Sequence, residues 1–287
     1  MKRARDAAAF SVGTLAQVAC ILEVTAPKAG NVRPNQPFGD TTWTDFLVAA
    51  AVSSPVFDRA CEKPLGDTVL DAVTASCTAT GKNVNLGIVL LLAPLAAVPV
   101  GEELRPGVRR ILGQLGPSDC SKVYEAIRRA EPGGLGEVPQ YDVRETPPQD
   151  LLEAMAVAEE RDLIAHQYTH DFEGVFDVAL PLLRNALGEK LSLERTIVLV
   201  QLELLERYPD SLIARKCGET IAREASRRAA TVLRAGWPLA KHSTQEFQGF
   251  DRWLREDGNR RNPGTTADMI AATLFLALRT GIIEVPV

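Results

Sequence analysis

Apolar residues recur at helical spacing along almost the whole of this chain, and that periodicity points to an all-α fold. Leu193, Ile197, Val200, Leu204 and Tyr208, for example, stand three and four positions apart and define one stripe for burial. The pattern predicts helices over 7–24, 42–60, 67–80, 84–98, 106–116, 119–130, 149–187, 191–207, 210–234, 244–256 and 265–280, with 149–187 read as two. Thr42 with Asp45, Thr146 with Gln149, Ser243 with Glu246 and Thr265 with Asp268 have capping-box spacing. Apolar residues make up 46% of the chain but aromatics only 6%, so Ala and Leu must fill the interior, as packed helices prefer. Only 281–287 reads as extended. With 287 residues and no repeat or low-complexity tract, a single large bundle-like domain (1–287) is the simplest organisation. Residues 131–148 form a long loop, read equally well as a linker or as a strap across the mouth of a site.

A net charge of −5 leaves no basic surplus to neutralise many phosphates, which argues against a nucleic-acid partner. Cys20, Cys61, Cys77, Cys120 and Cys217 form no C-x-x-C pair and lie mostly in apolar helical stretches, a pattern of reduced, buried thiols in a cytoplasmic protein. The basic start at residues 1–9 superficially suggests a signal peptide, but Gln17 and Glu23 interrupt the apolar stretch that follows. The greasiest run, 87–100, is too short for a membrane span, contains Pro94 and Pro99, and reads as a central core helix. The expectation is a soluble protein with no membrane partner. Its oligomeric state is left open, a homodimer included.

Four polar breaks interrupt the helices. The first, Glu23-Val-Thr-Ala-Pro-Lys-Ala-Gly-Asn-Val-Arg-Pro34, turns at Pro27 and Gly30 and projects Lys28, Asn31 and Arg33. Its cations suit phosphate and Glu23 suits a metal or a hydroxyl; the plain alternative is a solvated loop. Asp40, before the Thr42 cap, serves as a metal ligand or as a helix N-terminal charge. The second break, 80–87, sets Asn83 and Asn85 beside glycines at a helix N-terminus, without the order of a P-loop. In the third, Asp210 precedes Arg215 and Lys216, which suits a metal–triphosphate site or an ordinary N-cap worth about 1 kcal/mol. The fourth places Asn262, Gly264 and Thr265 after Arg260 and Arg261, as a phosphate cradle or a simple cap. Elsewhere Asp162, His166 and His170 share one helix face, a spacing open to a transition metal. Asp171 and Glu173 nearby better suit Mg²⁺ bound to phosphates. Together the breaks suggest one polyanion-handling site built from helix ends.

In their order along the chain the breaks resemble the motifs of the triphosphoribosyl-dephospho-CoA synthase family. Thr25-Ala-Pro-Lys-Ala-Gly-Asn-Val32 is similar to a Thr-Pro-Lys-Pro-Gly-Leu-Val segment, and Gly81-Lys-Asn-Val-Asn-Leu-Gly87 to Gly-Val-Asn-Thr-His-Lys-Gly. Asp210-Ser-Leu-Ile-Ala-Arg-Lys216 resembles Asp-Thr-Asn-Val-Ala-Ser-Arg. Arg261-Asn-Pro-Gly-Thr-Thr-Ala-Asp-Met269 resembles Asn-Leu-Ser-Pro-Gly-Gly-Ser-Ala-Asp-Leu. Where the family has His-Lys this chain has Asn85-Leu86, its second proline is Ala29, and Pro37-Phe38-Gly39 replaces a His-containing stretch.

The resemblance implies an all-α transferase in which the 2′-hydroxyl of dephospho-CoA attacks the anomeric carbon of ATP, expelling adenine and keeping the triphosphate. Such a reaction passes through an oxocarbenium-like transition state and wants a carboxylate base. The roles it implies are phosphate binding for Lys28, Arg33, Arg215 and Lys216, and positioning for Asn31, Asn83, Asn85, Asn262, Gly264 and Thr265. Glu23, Asp171 and Asp210 are the candidate catalytic carboxylates, and Asp40, Asp171 and Asp210 the candidate Mg²⁺ ligands. The departures leave two other readings: ribosyl transfer to another coenzyme, of the one-carbon or pterin kind, and a nucleotide-binding protein without turnover.

Overall fold

The computed structural model describes residues 10–285 except 135, 137, 139 and 190. The basic start, the first residues of the helix expected from 7, and the last two of the extended end lie outside the described residues. Among the described residues there are fourteen α-helices and no strand, only isolated bridges at Arg33–Gln36 and Phe38–Thr41. The helices are α1 (Val12–Thr25), α2 (Trp43–Asp58), α3 (Leu65–Thr80), α4 (Leu86–Ala96), α5 (Leu104–Leu112), α6 (Pro117–Ala130) and α7 (Leu151–Ala158). They continue with α8 (Leu163–Thr169), α9 (Leu180–Gly188), α10 (Leu193–Arg207), α11 (Ser211–Cys217), α12 (Glu219–Arg234), α13 (Ser243–Arg255) and α14 (Gly264–Arg279). The all-α expectation holds, and 281–285 is turn and bend rather than extended.

Two long predicted helices are broken by local backbone conformation. The stretch 149–187 is three α-helices and a π-helical segment, Gly174–Ala179. Asp162 caps α8 through Ile164 N–H at 2.9 Å. Asp171 and Phe172 then take positive φ of 49° and 59°, a conformation that no continuous helix contains. The stretch 210–234 divides at Gly218, whose φ of 89° only glycine adopts readily. Of the four capping boxes only Thr42–Asp45 forms, with Thr42 N–H donating to Asp45 at 2.7 Å. Asp150, not Thr146, caps α7. Ser243 and Thr265 are already inside their helices.

The greasy run becomes α4, buried at every position but Gly87. It packs against α14, which in turn contacts α1 and α10. The apolar interior falls into two clusters: a large one drawing on α1–α9 and α14, and a smaller one on α11–α13. The α10 stripe predicted from sequence feeds the large cluster through Ile197, Val200 and Leu204, while Val198, Leu202 and Leu205 feed the small one. The segment after α1 crosses between them, with Ala26 in the large cluster and Ala29 in the small. No helix among the described residues is long and apolar enough to cross a membrane. The cysteines are all free; Cys20 and Cys120 are buried, Cys77 and Cys217 half-buried, and Cys61 exposed. The buried-thiol expectation therefore holds for two of the five.

Candidate active site

The break after α1 is held in place by side chains distant in sequence, among them Arg255, which donates to the Asn31 carbonyl at 2.7 Å. Gln201 of α10 accepts from Ala29 N–H and donates to the Ala29 carbonyl, both at 2.8 Å, and also donates to Asn31 Oδ1 at 2.9 Å. Asp251 of α13 accepts from Gly30 N–H at 2.7 Å and pairs with Arg33 at 3.0 Å. Asn31 donates to Asn262, just before α14, at 2.8 Å. Ala29 is fully buried, and a second proline there would lack the N–H that Gln201 receives.

This segment forms one wall of a cavity of about 610 Å³, within the common range for small-molecule sites. The other walls are the start of α4, the α7–α8 turn, α11, the start of α14 and the long loop. Described residues of the loop therefore line the cavity. The loop is anchored by Tyr124, whose hydroxyl donates to the Tyr141 carbonyl at 3.0 Å, and by Arg128, which donates to the Val143 carbonyl at 2.9 Å. It also presses on α11: a Cβ on Gly134 would stand 3.2 Å from Arg215 Cβ.

Glu23, Asn31, Asn83, Arg215, Lys216, Asn262 and Gly264 all line this cavity, although they come from breaks up to 241 positions apart (264 − 23). Cations gather on its outer side. Arg215 and Lys216 also line an adjoining open hollow of about 570 Å³, together with Arg260 and Asp40. Burial and then the neighbouring Arg215 push the Lys216 ammonium below its ordinary value, with Arg260 adding to the effect. Arg215 pairs with Asp162, yet its Nε is buried with no hydrogen-bond partner among the described residues. Crowded, incompletely neutralised cations of this kind attract a polyanion.

Other expected site residues are elsewhere or already occupied. Lys28 is completely buried, its ammonium 2.7 Å from the Glu23 carboxylate, because the turn folds it back under α1. Arg33 is committed to Asp251 and does not line the cavity. Asn85 is buried and donates to Ser76 at 3.1 Å, and Thr265 is buried and hydrogen-bonded to Ser211 at 3.0 Å. Asp171 points to α5, where it pairs with Arg109 at 2.6 Å, because the left-handed turn carries it away from the cavity. Asp40 lines only the outer hollow and is 88% exposed.

Asp210 is an internal tie. One oxygen caps α11 by accepting from Leu212 and Ile213 N–H, both at 3.0 Å, and the other accepts from the Thr266 N–H and hydroxyl, both at 2.8 Å. Asp40, Asp171 and Asp210 therefore do not converge, and they do not form the Mg²⁺ site expected of them. The group that does come within metal-binding reach among the described residues is Glu159, His166 and His170, with ligand atoms within 4.8 Å of one another; none of the three lines the cavity.

Asp268, expected as the capping partner of Thr265, does not cap α14. It is the one residue between Thr265 and Leu278 of α14 that is only half-buried, and it lines the cavity. Its carboxyl is held well above the carboxylate range, first by burial and then by the nearby Glu23 and Asp210 charges. The signal in the sequence was an acid inside an otherwise apolar helical run.

A comparison with curated proteins finds no match. A crystal structure from Archaeoglobus fulgidus, provisionally described as a triphosphoribosyl-dephospho-CoA synthase, superposes with a TM-score of 0.63. It is 27% identical and covers 82% of this chain and 99% of its own. The family model described as ATP:dephospho-CoA triphosphoribosyl transferase matches residues 9–284, almost the whole chain. A match over that length places the chain in the family: it belongs to the CitG family of ATP:dephospho-CoA triphosphoribosyl transferases.

Proposed function

We propose that ATP enters this cavity with its triphosphate on Arg215, Lys216 and Arg260 and its ribose turned inward toward the carboxylates. The observation that carries this orientation is the crowding of those three cations around Lys216, on the side where the cavity adjoins the open hollow. Arg215, with a buried Nε lacking a partner, has donor capacity left for a phosphate oxygen. Asn31 and Asn262, bonded to each other, and Asn83 offer neutral polar contacts to ribose hydroxyls. Phe38, Phe46, Tyr124 and Tyr141 line the same cavity and offer apolar faces for a base or a pantetheine arm. Dephospho-CoA is the acceptor in this reading, and its 2′-hydroxyl must reach the ribose anomeric carbon from the carboxylate side.

Mg²⁺ belongs to the proposal only as an ion brought in by the triphosphate and held chiefly by phosphate oxygens, as is usual for this ion. No step here runs through it. A cytoplasmic location, where five free cysteines stay reduced, is likewise part of the proposal.

The test is release of free adenine from ATP, with Mg²⁺ present, in the presence and absence of dephospho-CoA. Adenine that appears only with dephospho-CoA supports the reading. Adenine only with a different alcohol supports the other-coenzyme alternative, and nucleotide binding without adenine supports a protein without turnover. In the same assay Lys216→Ala should raise the KM for ATP roughly tenfold or more, the usual effect of losing one charge-assisted contact. Arg33→Ala, which removes a side chain already paired with Asp251, should leave it unchanged. Equal effects from both would sink the orientation.

A further inference from the structure

We propose that Asp268 is the catalytic base: its carboxylate takes the proton from the attacking hydroxyl. The assignment rests on the triphosphoribosyl-transfer reading and goes further by naming the acceptor atom's partner.

The argument is one of availability. Five carboxylates stand in or beside the cavity wall. Glu23 is neutralised by the buried Lys28 ammonium at 2.7 Å. One oxygen of Asp162 caps α8 and the other pairs with Arg215. Asp142 is paired with Arg144 and accepts the Arg144 N–H at 2.9 Å. Both oxygens of Asp210 are filled by the four donors already described. Asp268 alone has no hydrogen bond or ion pair to any described residue, and it faces the cavity. A group that must accept a proton from substrate needs lone pairs not already committed, and among the described residues Asp268 is the one carboxylate of the five with neither oxygen paired.

Its position is fixed by packing. Gly87, at the start of α4, lies directly against the carboxylate, and a Cβ there would overlap Oδ2. Glycine at this position is what lets the carboxylate lie against the α4 backbone. The charged groups facing Asp268 are Glu23 on α1, itself paired with Lys28, Asp162 before α8, and Asp210 and Arg215 at α11; burial and then the acids prevail over Arg215. Burial and these acids make the carboxylate a stronger base than an exposed aspartate, which suits proton abstraction near neutral pH.

The step balances without a co-reactant. The oxygen of the acceptor hydroxyl forms a bond to the ribose anomeric carbon as the bond from that carbon to adenine nitrogen breaks. Adenine leaves with that electron pair. The hydroxyl proton passes to Asp268, and adenine gains one proton at nitrogen, so no net proton is consumed.

The experiment follows adenine release against pH for the wild type, Asp268→Asn and Gly87→Ala, with ATP affinity measured separately by equilibrium binding. Asp268→Asn should lower kcat by about 10²- to 10⁴-fold, the usual contribution of a general base, and leave ATP affinity unchanged. It should also abolish the acid limb of kcat/KM, which in the wild type lies above the ordinary carboxylate range. Gly87→Ala, which displaces the carboxylate without removing it, should lower kcat in the same direction with ATP affinity kept. Asp268→Asn that turns over within tenfold of the wild type with the same acid limb overturns the assignment. So does Asp268→Asn that loses ATP binding together with turnover, since Asp268 would then hold the nucleotide. A wild type that releases no adenine with any alcohol overturns the transferase reading first, and the assignment with it.

Discussion

At the scale of single residues, the site sets one carboxylate against the stability of the fold. Asp268 sits among apolar residues of α14, and its folded-state pKa is raised above the ordinary 3.8, first by burial. A raised folded pKa means that Asp268 favours the native state while protonated, below about that ordinary value, and that this contribution is lost as pH rises through the folded pKa. Above the ordinary carboxylate range Asp268 is a liability to the fold, whether it keeps its proton or gives it up. Asp268→Asn should therefore melt above the wild type at pH 7, by about 2–4 °C for each kcal/mol relieved. The difference should shrink toward zero as pH falls to 3.8 and below. Thermal melts at several pH values check this, and a melting point lowered by the substitution at neutral pH would contradict it. Lys28 teaches the converse lesson. A cation in a polar turn reads as a free phosphate ligand, but the turn buries it completely against Glu23. Sequence spacing does not reveal whether a side chain points out of a turn or back beneath it.

At the scale of elements, α11 is a short helix fastened at its start, and Asp210 is the fastening. Its four accepted hydrogen bonds join α11 to the first turn of α14, so that Arg215 and Lys216 are carried at a fixed distance from Asn262 and Gly264. Asp210→Ala removes an N-cap and leaves the Thr266 donors buried without a partner. The expected cost is about 2–4 kcal/mol, from roughly 1 for the cap and 1–3 for the orphaned groups. Urea denaturation measures it, and a cost below about 0.5 kcal/mol, the usual scatter of surface substitutions, would show that Asp210 does not tie the two helices. The carboxylate singled out from sequence thus matters, but for holding two walls together. Caps were poorly legible for a related reason. Ser243 and Thr265 carry the right spacing, yet Ser243 is the first and Thr265 the second residue of its helix, where the chain's path out of the preceding loop put them.

At the scale of the whole molecule, two apolar clusters share α10, and the break after α1 passes from one to the other beside the cavity. The wall formed by α14 depends on the large cluster. Phe275, fully buried there, should cost about 3–5 kcal/mol when cut to Ala. The urea midpoint should fall with little change in slope, and a changed slope would mean that the two clusters no longer unfold together. Helix number and order were legible almost throughout, because a 3.6-residue period in apolar residues survives any tertiary arrangement. The π-helical segment and the breaks at Asp171 and Gly218 were not, since positive φ leaves no mark on hydrophobic periodicity. The four polar breaks were visible as a set, and the motif order within them carried the family. What each polar residue does was decided by its partners: Gln201 for Ala29 and Asn31, Asp251 for Arg33, Arg109 for Asp171, and none among the described residues for Asp268. The sequence by itself determined an all-α chain with polar breaks between its helices, because period and composition are local properties. Only the tertiary structure decided which charges are spent on one another and which face the cavity, because pairing depends on distances between residues far apart in the chain.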